Sequence, residues 1–296
     1  MRLRLKGECR EIRWDENTKE HMEVKEKNGV VYLAYPAFEK FSWCCHGFST
    51  RIGGVSQGVY HSMNLSFQRG DKKEDVEENY RRISGAIGFD LERTVCSQQT
   101  HTVNIRKVRE EDGGKGILRP LDYQDVDGLI TDIPGMTLAT SFADCVPLFF
   151  VDPIHRAVGL AHSGWRGTAG RMGSHMVQAM KEAFDSKPEE LYAAIGPSIC
   201  QDCYEVSEDV AEVFQKEFPS HAESRELLYR KENGKYQLNL WRANEIILLE
   251  EGIRAEQISF PGICTCCNPD FLFSHRASKG KRGNLSAFLG ICGSME

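Results

Sequence analysis

Apolar positions along this chain follow two periods. Between residues 127 and 170 the sequence reads DGLITDIPGMTLATSFADCVPLFFVDPIHRAVGLAHSGWRGTAG. Its apolar runs are short, partly β-branched or aromatic, and bounded by Gly, Pro or Asp, which predicts buried strands. Cys145 falls between two of these runs and His162 at the end of a third. Similar runs predict strands over 29–38, over 93–108 (which carries His101), and over 191–199, 258–265, 271–277 and 285–291. Elsewhere the period lengthens. Val76, Tyr80, Ile83 and Ile87 recur at helical spacing, after a capping-box-like Asp71 and Glu74 and before Gly88 as the expected stop. Met172, Met176, Val177, Met180 and Phe184 mark one face of a second helix, and their plain reading is core packing. A third helix starts after Ser207 and stops before Pro219, and a fourth spans 239–251, closed by Gly252.

Strands outnumber helices and the two are interspersed, with no internal repeat and no Pro/Ser linker. The expectation is one α/β or α+β domain with more than one layer of sheet. Residues 1–42, a polar lead with the first strands, are read as part of the same domain as 43–292. The net charge of −6, from 37 basic and 43 acidic residues, gives no footprint for nucleic acid. No apolar run approaches the ~20 residues needed to span a bilayer, and the charged N-terminus lacks the apolar core of a signal peptide. Eleven cysteines in such a chain read as reduced thiols, and the expected compartment is the cytoplasm.

His101 in QQTHTV, Cys145 in FADCVP and His162 in AHSGWRG carry the candidate chemistry. Two imidazoles and a thiolate suit zinc and leave its fourth position for water or substrate. On the residues alone, a buried Cys beside two hydrogen-bonded histidines is an equal reading. Cys145 as a nucleophile with His162 as its base, in a cysteine hydrolase or amidase, is another. CQDC (200–203) and CTCC (264–267) offer a separate structural zinc site, although the second half, read as CxCC, departs from the usual half-site. Buried reduced thiols are the competing reading there.

The ordered motifs HGFSTRIGG (46–54), NLSF (64–67), VEENYRRI (76–83), QQTH (98–101), DGLIT (127–131), ADCVPLFFVD (143–152), AHSGWRG (161–167), AAIGPSIC (193–200), YEV (204–206) and SHR (274–276) resemble one family over about residues 43–292. It is the laccase-domain or purine nucleoside phosphorylase family, originally labelled polyphenol oxidase. The resemblance implies a layered α/β/β/α fold with mixed sheets in a single domain. It also implies a zinc ion held by His101, Cys145 and His162, with copper the less physiological alternative. The implied activity is phosphorolysis of adenosine, inosine and S-methyl-5′-thioadenosine, with adenosine deamination alongside. Phenol oxidation by copper, the older label, would need more ligands than one mononuclear site offers.

Phosphorolysis requires phosphate held against C1′ of the ribose, which directs attention to guanidinium groups. Arg51 in STR and Arg276 in SHR are the substrate-binding candidates, ahead of Arg166, and His46 joins them. His46 and Asp127 are candidate proton-transfer groups, while Asp144 is expected to support the adjacent ligand. The glycine-rich turn 164–170 is either a backbone anion site or a tight turn. Thr102, where the family usually has glycine, is expected to narrow access to the site. His275, where the family usually has an aromatic residue, adds a titratable group near the expected pocket.

Overall fold

The apolar runs between 128 and 163 fold as strands, but they divide between two sheets. In a computed structural model, residues 2–5, 8–16, 18, 21–221 and 224–293 are described. The first six-stranded sheet runs, edge to edge, Glu23–Lys27, Val30–Ala34, Cys44–Ser49, Leu285–Ile291, Thr137–Phe142 and Thr94–Cys96. The second runs Ile258–Ser259, Tyr192–Ile195, Val146–Asp152, Ala157–Ser163, Gly128–Thr131 and Ile105–Lys107. Antiparallel and parallel neighbours occur in both, so the sheets are mixed.

Side-chain alternation explains the layering. Phe149, Val151, Val158 and Leu160 of the second sheet meet Phe48, Leu138, Phe142 and Leu289 of the first in a shared core. The opposite face of the second sheet presents Leu148, Phe150 and Ala161 to Met172, Met176 and Met180 of the helix Met172–Phe184 and to the helix Leu240–Glu250. The outer face of the first sheet carries Ala139 and Phe288 against Val76, Tyr80 and Ile83 of the helix Lys73–Ile87. The layers are therefore α/β/β/α in one domain. Strands buried on both faces read as continuous apolar runs rather than as an alternation, which is why VPLFFVD and AVGLAHS are buried at every position.

Four expectations change. The stretch 93–108 is not one strand: Thr94–Cys96 lies in the first sheet and Ile105–Lys107 in the second, with His101 on the loop that crosses between them. Residues 271–277 form a buried loop running into the short helix His275–Ser278, and 258–265 keeps only Ile258–Ser259 as strand. The helix after Asp71 starts one residue later than a cap at that position would place it. Asp71 instead accepts from the Lys72 N–H and from Asn64. At the other end Gly88 adopts the left-handed conformation (φ 98°) and its N–H closes on the Ser84 carbonyl.

His46 sits inside the first sheet, opposite Leu289, with its ring against Tyr35 and Phe38. Its Nε2 accepts the Tyr35 N–H at 2.8 Å, so this nitrogen has to remain unprotonated. The structure does not bring His46 to the site described below; the residue is a buried backbone acceptor. Burial lowers its pKa to about 4. The unfolded chain takes up a proton near pH 6.5 that the folded chain refuses until about pH 4, so this contribution to stability is complete above pH 6.5 and shrinks as pH falls. Urea titrations should record a loss of about 3 kcal/mol by pH 4 relative to a His46→Phe chain; parallel profiles for the two proteins would contradict this placement.

Candidate metal centre

Both places where the chain crosses from the first sheet to the second lie at the same end of the shared core. One crossing is the loop that carries His101. The other is the Ala143–Asp144–Cys145 link from Thr137–Phe142 to Val146–Asp152. His162 extends the row Val158, Leu160 out of the core at that end. Register sets the remainder: Val146 pairs with Ser163, so Cys145 falls opposite Gly164. The ligand atoms of His101, Cys145 and His162 lie within 4.8 Å of one another, with His101 exposed, Cys145 half-buried and His162 buried. The two imidazoles meet edge to face at 5.0 Å.

One carboxylate assembles this arrangement. Asp127, fully buried just before Gly128–Thr131, accepts the N–H groups of Thr100, His101 and Thr102 at 3.1, 3.1 and 2.9 Å, and the Thr102 hydroxyl at 2.9 Å. Three successive amides aimed at one anion form a nest. They hold His101 in the left-handed region at φ 67°, a conformation that few side chains adopt without such support. Asp127 also takes Nδ1 of His162 at 2.8 Å, which leaves Nε2 facing the cysteine. Burial alone would raise the Asp127 pKa, yet the His162 ring and the amides hold it down to about 2. Asp127 is thus the positioning group for two ligands rather than a free proton-transfer group. Thr102 belongs to the same anchor, which gives this departure from the family pattern a structural use.

Asp144 does the equivalent for the third ligand. Its carboxylate accepts the Thr265 hydroxyl at 2.6 Å and the Arg276 N–H at 2.7 Å, while its carbonyl accepts the Ile199 N–H. Gly164 supplies room. A Cβ there would stand 3.1 Å from Cys145 Sγ, 3.2 Å from His101 Cδ2 and 3.6 Å from His162 Cε1, so a side chain would fill the cradle between the ligands. The turn that follows is tied down by Ser163, Thr168 and Asn244, whose buried side chains bond one another at 2.9–3.1 Å. Its helix, Trp165–Ala169, is a single short turn, and Arg166 lies over the Trp165 ring. The glycines of 164–170 are therefore read as tight-turn and cradle residues.

The three residues polarise one another. Burial opposes ionisation of the Cys145 thiol, but the His162 and His101 rings outweigh it and bring the pKa down to about 6. Burial likewise opposes charge on His162, and the Cys145 sulfur with Asp127 raises it to about 9. A soft thiolate and two imidazoles facing a glycine-made gap fit a divalent ion of zinc type. His162, oriented by a carboxylate on its other nitrogen, completes the pattern of supported metal ligands.

A cavity of about 460 Å³ opens beside the three residues. Its lining also includes Arg69 and Arg282, two residues that sequence reasoning missed. The Arg282 Nε is buried without a hydrogen-bond partner. Burial and the nearby Arg69 cation lower its pKa to about 10, so it remains cationic at neutral pH. A basic, glycine-flanked loop, KGKRGN, just before the last strand is the signal that could have found it. His275 does come near: its Nδ1 stands 3.4 Å from the Arg282 guanidinium, and its pKa is lowered by burial and by Arg282.

The two arginines singled out from sequence act differently. Arg51 donates to the carbonyls of His61 and Pro269 and lies over the Phe273 ring, so it braces loops outside this cavity. Arg276 donates to the carbonyls of Cys203 and Glu205 at 3.1 and 3.0 Å and does not line the cavity.

Two packed sheets with an N₂S ligand cluster at their crossovers, opening on a cationic cavity, define a class: an α/β/β/α domain with a candidate metal centre at one end of its core. The chain belongs to the family described as multi-copper polyphenol oxidoreductase laccase, whose sequence profile matches residues 45–292. Purine nucleoside phosphorylase YlmD of Bacillus subtilis strain 168 is 39% identical over 246 residues, which are 83% of this chain and 87% of that protein. A protein named adenosine deaminase RL5, from an unknown prokaryotic organism, is 32% identical over 238 residues, covering 77% and 87% of the two chains. The crystal structure of YlmD from Geobacillus stearothermophilus superposes with a TM-score of 0.82 at 37% identity, covering 92% of this chain and 99% of that one. No helix among the described residues is long and apolar enough to cross a membrane.

Asp127→Asn keeps the size of the side chain but removes the charge that faces three amides and His162. Chelator competition should find zinc affinity reduced 10- to 100-fold; affinity within twofold of the parent would contradict the positioning role.

Proposed function

We propose that this protein is a zinc-dependent purine nucleoside phosphorylase acting on adenosine, inosine and S-methyl-5′-thioadenosine. It transfers the ribosyl group from purine to inorganic phosphate, with adenosine deamination as a side activity. The observation that carries the reading is the cavity itself, whose lining includes the N₂S cluster and the guanidinium groups of Arg69 and Arg282. The relatives named purine nucleoside phosphorylase and adenosine deaminase support a phosphorylase-like enzyme and its side activity.

Arg282 and Arg69 would hold phosphate through charge-assisted hydrogen bonds, since they line the cavity and Arg51 and Arg276 do not. Held by the Gly283 carbonyl and Asn284 Oδ1, Arg282 orients the anion toward a ribose lying in the cavity. Asp127 and Asp144 keep the loops of His101 and Cys145 rigid while the substrate changes shape. Zinc, when bound, supplies Lewis-acid polarisation at the position its protein ligands leave open.

A second reading has its own observation: Cys145, His162 and Asp127 lie in the order of a nucleophile, a base and an orienting acid. It predicts activity that survives chelation and dies on alkylation of Cys145. The phenol-oxidase reading has less support, because the two candidate clusters among the described residues supply one three-ligand site and four sulfurs, and no further imidazoles.

Zinc-loaded protein should release adenine from adenosine only when phosphate is present. Arg282→Ala should raise KM for phosphate about 10- to 100-fold, leave KM for the nucleoside within about twofold, and be partly rescued by Arg282→Lys. Phosphate-independent release of the base, or an unchanged phosphate KM, would overturn the assignment.

A further inference from the structure

The second cysteine-rich feature of the sequence becomes a defined cluster in the fold. Tyr192–Ile195 and Ile258–Ser259 are neighbouring parallel strands, with Ala193 paired to Ile258 and Ala194 to Ser259. Each is followed by one of the cysteine motifs, and a parallel bridge between Ser198 and Cys264 continues the pairing into the loops. The Thr265 N–H donates to the Ser198 carbonyl at 3.0 Å, which fixes the register of the two loops. Cys200, Cys203, Cys264 and Cys267 consequently converge, with all four sulfurs within 4.8 Å of one another. The second half-site, read from sequence as CxCC, uses Cys264 and Cys267; it is a CxxC with Cys266 as one of the spacer residues.

We propose that these four cysteines bind one structural zinc ion, separate from the candidate centre at His101, Cys145 and His162. The sulfur separations suit a mononuclear site. Four thiolates at ~2.3 Å from one zinc stand about 3.8 Å apart at the corners of a tetrahedron. Here Cys203 and Cys267 are 3.4 Å apart and Cys200 and Cys267 are 4.0 Å apart. A polynuclear iron–sulfur cluster would divide the four thiolates among two or more irons and spread the sulfurs further. None of the four is in a disulfide. The Cys200 and Cys267 N–H groups both point at Cys264 Sγ, at 3.2 and 3.4 Å, as backbone amides do around a metal-bound thiolate.

The ion has a use in this fold. The segments it joins are the ones that grip Asp144: Ile199, next to Cys200, donates to its carbonyl, and Thr265, next to Cys264, donates to its carboxylate. Arg276 links the Cys203 carbonyl to the same carboxylate through its own N–H. Asp144 immediately precedes Cys145. The four-sulfur ion therefore clamps the loop that presents one ligand of the first centre, and acts on that centre by positioning.

The test uses the full chain expressed in zinc-containing medium. Wild-type protein should carry two zinc ions per chain by elemental analysis. His101→Ala should retain one, and X-ray absorption at the zinc edge of that variant should fit four sulfurs and no nitrogen. Cys203→Ser should retain fewer than two and lower the thermal midpoint by more than about 5 °C. The His101→Ala spectrum decides the question even where Cys203→Ser fails to fold. A His101→Ala chain without zinc, a shell containing nitrogen or oxygen, iron in place of zinc, or a native disulfide among the four cysteines would each overturn the proposal.

Discussion

A single buried carboxylate organises the functional end of this molecule. Asp127 stands where the second sheet begins, and its two oxygens are shared among three consecutive amides, one hydroxyl and one imidazole. Burying that charge is costly unless every lone pair is answered. The nest of amides answers it and, in doing so, fixes the loop that carries His101. The imidazole answers it too, and is left with its other nitrogen facing Cys145. Two ligands on separate elements are thereby set in relation to each other by one anion.

The layered fold makes this possible because its two sheets are stitched at one end by crossovers. Thr94–Cys96 and Thr137–Phe142 belong to the first sheet; the strands that follow each of them, Ile105–Lys107 and Val146–Asp152, belong to the second. A chain leaving one sheet for another cannot keep its ladder hydrogen bonds, and its free amides and carbonyls need other partners. Asp127 and Asp144 supply them. The same acids that satisfy the crossings hold His101 and Cys145, so structural repair and ligand placement coincide in two residues.

The central strands and the methionine-faced helix were legible in the sequence, since each depends on local period; His101, Cys145 and His162, singled out with their motifs, are brought together by the fold. The strand assigned to 93–108 failed because its break is imposed from a distance: nothing within QQTHTV announces that Asp127 will gather its amides. Arg51 and Arg276 sat in conspicuous motifs, yet their guanidinium groups bond backbone carbonyls away from the cavity lining. Arg282, one of two arginines that line the cavity, lies 120 residues beyond His162, in a loop whose position depends on the final strand of the first sheet. Convergence of that kind has no periodic signature. The pairing of CQDC with CTCC was legible as composition, while its geometry required the parallel register of the two strands that precede them.

Anomalous diffraction at the zinc edge, from crystals of the zinc-loaded chain, addresses the role of Asp127 most directly. The account predicts a peak bonded to His101, Cys145 and His162, with the Asp127 carboxylate still on Nδ1 of His162 and outside the coordination sphere. A peak ligated by Asp127 itself, or no peak among those three residues, would contradict it.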